Sequence, residues 1–267
     1  MAPWSPADWD IFLRLFTVVF APFFGSFLAL FVHRWPQGLP VVRGRSRCEA
    51  CGAVPGWHDL VPVLSWLLLR GRCRRCGAAI GFAPLALELV MLAAGLSLAL
   101  SSLPGSRALL LLLAGGSMLA IAVIDARHLL IPRSLALAVL ALGVLDGALH
   151  PAPADAATGM PWARLLGVAA GFAGMEAIRH AYRRLRGREG LGAGDSWLMA
   201  AIGAWTGARA LGLVLLFAAL AALVLTGLEA ARRGRLPEAG DRLAFGPFLA
   251  AAGVAVVALR LVMRGGL

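Results

Sequence analysis

Ala120-Ile121-Ala122-Val123-Ile124 closes an apolar run that starts near residue 107 and stops on a carboxylate, Asp125. A hydrocarbon core about 30 Å thick takes about 20 apolar residues per crossing helix, and this run approaches that length. Working outward, comparable runs recur along the chain. Eight spans are predicted, at roughly 11–32, 83–102, 107–124, 134–150, 162–179, 196–208, 210–230 and 243–262. Sixty per cent of the 267 residues are hydrophobic, which leaves too little polar surface for a soluble domain of this length. The fold class expected is an all-α polytopic membrane protein of about eight transmembrane helices. Met1 to Asp10 has no basic segment and carries Asp8 and Asp10, so the first apolar run reads as a retained helix within 1–32 rather than a cleaved signal.

The net charge of +11 comes from 25 arginines, with no lysine in the chain. These arginines lie between apolar runs, not along one soluble face. They read as topology signals and as attraction to anionic membrane lipids, and nucleic acid is not an expected partner. Nineteen of them fall in four segments: Arg34 to Arg75, Arg127 and Arg133, Arg179 to Arg188, and Arg232 to Arg242. With eight spans these segments share one side, which the positive-inside rule makes the cytoplasm; both termini then lie on the periplasmic side of a bacterial inner membrane. Arg260 and Arg264 run against the rule and are outnumbered.

The largest extramembrane piece is the loop 33–82, too small for a hydrophobic core of its own. All four cysteines fall there, as Cys48-x2-Cys51 and Cys73-x2-Cys76 with 21 residues between the pairs. Two such pairs offer four thiolates to one tetrahedral Zn²⁺, a structural site because no coordination position stays open. Unliganded or redox thiols are the alternative; a reduced cytoplasmic loop argues against disulfides. The domains expected are a first helix (1–32), a zinc-stapled loop (33–82) and a seven-helix membrane domain (83–267).

Carboxylates inside a membrane are costly and need a reason. Asp125, Asp146, Glu176 and Asp195 lie in or beside spans, and Glu88 lies near the start of the second. Asp195 follows Gly190-Leu191-Gly192-Ala193-Gly194 and opens a short span of about 13 residues. A short helix with a glycine-rich start fits non-helical backbone beside a wet cavity, where glycine lets a substrate backbone approach. Asp125 and Asp195 are expected at the same depth, on the cytoplasmic boundary. From spacing alone they read equally well as ordinary boundary residues, one of them an N-cap.

Several segments together resemble the type IV prepilin peptidases, a family of leader peptidase/N-methyltransferases with intramembrane aspartates. They are Gly25-Ser26-Phe27 through Trp35-Pro36, the cysteine pairs with Pro62-Val63-Leu64-Ser65-Trp66 and Arg70-Gly71-Arg72-Cys73, and Asp125 with Pro132. Gly190 to Asp195 followed by Ala200 to Gly207, and Phe245-Gly246-Pro247-Phe248-Leu249, complete the set. The chain departs from the family at Ala29, where asparagine is usual, at Arg133 after the proline, and at Trp197, where lysine is common. Pro84 is displaced by one position, while Glu88 keeps its distance from the last cysteine. The resemblance implies Asp125 and Asp195 as a catalytic pair that cleaves the leader of type IV pilin-like precursors, of pili or type II secretion. It also implies methylation of the new N-terminus from S-adenosylmethionine; the sequence does not place the donor's site, and Glu49, Asp59 and Glu88 are candidates that more often read as solvated charges.

Two other readings stand beside this one. The four membrane carboxylates of an ion-coupled transporter would gather at mid-membrane. A zinc-loop methyltransferase or scaffold without proteolysis would leave the second aspartate motif without a role. Within the pair, Asp125 is expected at a helix C-terminus and Asp195 at a helix N-terminus. That difference would leave the shared proton on Asp125 and make Asp195 the residue that activates water.

Overall fold

The computed structural model describes residues 5–151, 162–187, 190–234 and 243–263. Arg188, Arg235, Arg242 and Arg264, used above for topology, lie outside the described residues. The described chain is helical: α1 (Pro6–Arg34), α2 (Leu64–Leu68), α3 (Phe82–Leu100), α4 (Gly105–His128), α5 (Arg133–Leu149), α6 (Trp162–Arg186), α7 (Ala193–Thr206), α8 (Leu211–Arg233) and α9 (Gly246–Met263). Apart from the short α2, one helix stands at each predicted span. Five segments are long and apolar enough to cross a membrane: Pro6–Gln37, Phe82–Leu100, Gly105–His128, Ala208–Arg232 and Gly246–Met263. This is an all-α polytopic membrane protein, and it forms two compact units, Met1–Gly116 and Ser117–Leu267.

In the first unit α1 packs along α3. A Cβ added to Gly25 would stand 2.8 Å from the Glu88 Cα and the Leu87 carbonyl oxygen, so glycine is what permits the close crossing. Ser5 and Asp8 start α1 by reciprocal capping, the Asp8 N–H donating to Ser5 Oγ and the Ser5 N–H to Asp8 Oδ2. One turn on, α1 closes two other helix ends. The Arg14 guanidinium donates to the carbonyls of Ala99, Ser101 and Leu103 beyond α3, and Asp10 Oδ1 accepts the Gly105 N–H that opens α4. Helix-end groups that find no water in a bilayer are satisfied this way by side chains.

In the second unit α7 is the central element. Eleven of its 14 residues are buried, from Asp195 to Thr206, and α5, α6 and α9 pack around it. Small residues set the α6–α7 distance. Cβ atoms on Gly167 or Gly203 would overlap the other's carbonyl oxygen, and one on Gly171 would stand 2.5 Å from the Met199 carbonyl oxygen. The short span expected at Asp195 is therefore a short helix enclosed by protein. At its far end, Trp205 Nε1 donates to the Val139 carbonyl at 2.9 Å and Arg164 donates to the Ala204 carbonyl at 3.0 Å, fastening α7 to α5 and α6.

Candidate active site and thiol quartet

Asp125 lies in the last turn of α4. The helix stops because Leu129 turns left-handed (φ 56°) while its N–H still donates to the Asp125 carbonyl at 2.8 Å. Ile131 and the buried Pro132 follow, and a Cβ on Gly194 would stand 2.6 Å from the Ile131 Cβ. The loop trailing the first aspartate thus rests on the first turn of α7. Asp195 is the third residue of that turn, and its Oδ2 accepts the Gly192 N–H at 3.1 Å. This is half of a capping box, since glycine has no side chain to return the bond.

The third contributor is Gly246, the first residue of α9, whose N–H donates to Asp125 Oδ2 at 2.8 Å. A Cβ there would stand 2.7 Å from that oxygen, so the position admits only glycine at this distance. Three segments far apart in sequence thus meet at one place. The aspartates are 5% and 6% exposed. Asp195 Oδ1 is buried without a protein hydrogen-bond partner among the described residues. Such an oxygen is uncommon in native interiors and suits a water or a substrate group.

The Gly246 contact corrects the proton assignment expected from helix ends. Asp125 sits at the C-terminal end of its own helix but receives an N–H from the N-terminus of another, α9. Asp195 receives one from the start of α7. Helix-end amides therefore serve both carboxylates and do not separate their roles.

Of the remaining membrane carboxylates, Asp146 lies towards the other end of α7 and Glu176 beside Ser196. Asp146 is fully buried and pairs with Arg164 at 3.0 Å and with His150 Nδ1 at 3.2 Å. Arg164 also reaches Ala204, nine residues beyond Asp195, or about 14 Å along α7. Glu176 lies level with Ser196, and His128 is exposed at the end of α4. The four carboxylates do not form one mid-membrane path.

The four cysteine sulfurs lie within 4.8 Å of one another, in two matching turns. Cys48 N–H donates to the Ala53 carbonyl and Cys73 N–H to that of Ala78; Gly52 and Gly77 each donate back to the first cysteine of the pair. Both glycines need the left-handed backbone of this turn, at φ 67° and 70°. Cys48 and Cys76 Sγ are 3.8 Å apart. That equals the edge of a tetrahedron with Zn–S bonds of about 2.3 Å, and is far from a disulfide at about 2.05 Å. Backbone N–H groups of Cys76 and Arg75 pull the Cys73 thiol down to about 6, while, against the pull of the Ala78 N–H, the neighbouring cysteines push Cys76 up to about 11, so Cys73 is the first of the two to become a thiolate.

Of the other loop acids, Glu49 is exposed beside His33, and Asp59 pairs with Arg74 at 2.8 Å, whose hydrogen bond holds its carboxyl below the usual range. Glu88 is different, at 6% exposed, and its Oε2 accepts the Val63 N–H at 2.7 Å. Val63 has φ 63° and ψ −57°, and the Leu64 N–H donates to the Pro62 carbonyl across it at 2.6 Å. This is the rare, strained hand of γ-turn, here at a β-branched residue. Nothing in the sequence marks Val63 for that conformation.

Residues 19–102 match the model of the bacterial peptidase A24 N-terminal domain, and residues 109–227 that of the type IV leader peptidase family. Gly246 lies beyond both matches. The prepilin leader peptidase/N-methyltransferase of Dickeya chrysanthemi is 35% identical over 283 residues, covering 96% of this chain and 95% of its own. That of Burkholderia pseudomallei (strain K96243) is 36% identical, covering 91% and 84%. That of Myxococcus xanthus is 35% identical over 216 residues, covering 79% of this chain and 61% of its own. No solved structure matches the chain.

Proposed function

The chain belongs to the type IV leader peptidase family, and on that premise we propose that it cleaves the leader of type IV pilin-like precursors with Asp125 and Asp195 as its catalytic pair. The observation that carries this reading is that both aspartates are buried, with Gly246 bound to the first and the loop behind the first resting on the turn that carries the second. Two carboxyl groups working as one site share one proton, because both cannot ionise cheaply. The ionised member takes a proton from a water molecule, whose oxygen attacks the scissile carbonyl carbon. The protonated member gives its hydrogen to the carbonyl oxygen as the tetrahedral intermediate forms. The C–N bond then breaks as the newly protonated aspartate gives its proton to the leaving amine and the other takes one from a hydroxyl of the intermediate, so the pair regains its starting state. Asp195 Oδ1 is the oxygen suited to hold that water. Gly246 keeps Asp125 oriented.

The arginine pattern supports a bacterial inner-membrane location with the loop 33–82 and the active site facing the cytoplasm and both termini periplasmic. Anionic lipids would then meet the arginine-rich segments. Cys48, Cys51, Cys73 and Cys76 would hold a structural Zn²⁺, which when bound ties the two turns of the loop together. The relatives' printed names support a second activity on the same product, N-methylation of the freed amine, with S-adenosylmethionine as donor. The division into a first helix, a loop domain at 33–82 and a membrane protease domain at 83–267 is part of this reading. The test is a cleavage assay on a pilin-like precursor. Asp125→Asn and Asp195→Asn should each abolish cutting in folded protein; a cutting rate unchanged by both refutes the pair.

A further inference from the structure

We propose, on the reading that Asp125 and Asp195 hydrolyse a peptide, that Glu176 is a positioning residue which fixes Asp195 through Ser196. Among the described residues, Asp195's own carboxylate is tied within its own turn, to the Gly192 N–H. The tie to the rest of the unit comes from the next residue. Ser196 is fully buried, and its hydroxyl donates to Glu176 Oε1 on α6 at 2.8 Å. A buried hydroxyl needs such a partner, and a bond to a charged acceptor is stronger than one to a neutral group.

Glu176 is itself braced. Arg179 Nη1 lies 3.2 and 3.3 Å from its two oxygens and His180 Nδ1 3.4 Å from Oε2. The bond also falls in register with the rest of the α6–α7 contact, which is antiparallel. Gly171 meets Met199, the Phe172 ring meets Trp197 edge-on at 4.9 Å, and Glu176 meets Ser196. Glu176–Ser196 is the last rung of that series, beside the peptide that carries Asp195. Below it the glycines set the helix spacing; at this rung a directed hydrogen bond sets the rotation of the first turn.

The experiment is steady-state cleavage of a pilin-like precursor by full-length protein in detergent. It compares Glu176→Leu, Glu176→Gln, Ser196→Ala and the double variant Ser196→Ala with Glu176→Leu. Glu176→Leu and Ser196→Ala should each lower kcat about tenfold with KM nearly unchanged, as expected when a reacting group is displaced by a fraction of an ångström. Glu176→Gln keeps an acceptor for the Ser196 hydroxyl and should recover most of the rate. The double variant should be no slower than Glu176→Leu. Wild-type kcat in Glu176→Leu, a glutamine variant as slow as the leucine one, or additive losses in the double variant would each overturn the proposal. Should Glu176→Leu fail to fold, the low kcat of Ser196→Ala and the recovery in Glu176→Gln still decide it. A wild-type protein that leaves the precursor uncut overturns the peptidase reading and this inference with it, whereas an active wild type indifferent to these changes overturns the inference alone.

Discussion

Gly171→Ala adds one methyl group where α6 crosses α7 one turn from Asp195. The new Cβ would stand 2.5 Å from the Met199 carbonyl oxygen and 2.9 Å from the Met199 carbonyl carbon, whereas ordinary contact begins at 3.4 Å. The helices must part by about 0.9 Å, and both Met199 atoms are backbone, so no side-chain rotation relieves the overlap. Overpacking of this kind costs about 1–3 kcal/mol. Met199 is four residues from Asp195 on the same helix, so part of that shift reaches the carboxylate, and a misplacement near 1 Å costs up to about a hundredfold in rate. Gly174→Ala is the control, on the same helix, with nothing within 4 Å of its added Cβ. It should be neutral or gain up to about 1 kcal/mol from helix propensity. Thermal unfolding in detergent and precursor cleavage should separate the two variants, Gly171→Ala losing on both measures. If Gly171→Ala matches Gly174→Ala in stability and rate, the crossing distance is not what holds Asp195.

Arg164→Met should cost about 3–5 kcal/mol because it takes the guanidinium away from Asp146, which is fully buried, and adding Asp146→Asn should recover part of the loss; equal unfolding temperatures for wild type and Arg164→Met would contradict this. Metal analysis should find about one zinc per chain, lost in Cys48→Ser with Cys51→Ser, and a stoichiometry near zero in protein purified without chelator would count against the site. Glu88→Leu removes the acceptor of the Val63 N–H and should loosen Pro62 to Trp66 by about 1–3 kcal/mol. Hydrogen exchange at Val63 and Leu64 should then rise, and unchanged protection would show that the turn holds itself.

Both aspartates could be read from the sequence because a carboxylate bordering an apolar run is conspicuous whatever the fold. The thiol quartet was legible for a similar reason, since ligand spacing within each pair is local. What escaped was pairing over distance. Gly246 stood out in the sequence only as part of a motif, and nothing 121 residues away announced that its N–H belongs to Asp125. The proton assignment loses its basis for that reason, as it counted only the helix each aspartate belongs to. Asp146 was visible as a carboxylate in a span, yet its partner Arg164 passed unremarked although an arginine within another apolar run was the available signal. The strain at Val63 had no signal, because valine is the residue a γ-turn of that hand suits least.

The enclosure of α7 bears on how the chain reaches its membrane. At 14 residues the helix is about 21 Å long, short of a hydrocarbon core of about 30 Å. It therefore has no state of its own in lipid, and its polar first turn could not enter the bilayer alone. Insertion must deliver α7 together with a neighbour, as a hairpin with α6 or α8, and hold it until α9 arrives to supply the Gly246 N–H. Until α9 arrives, Asp125 lacks the Gly246 N–H, so on the proposed pairing cleavage has to wait for that helix.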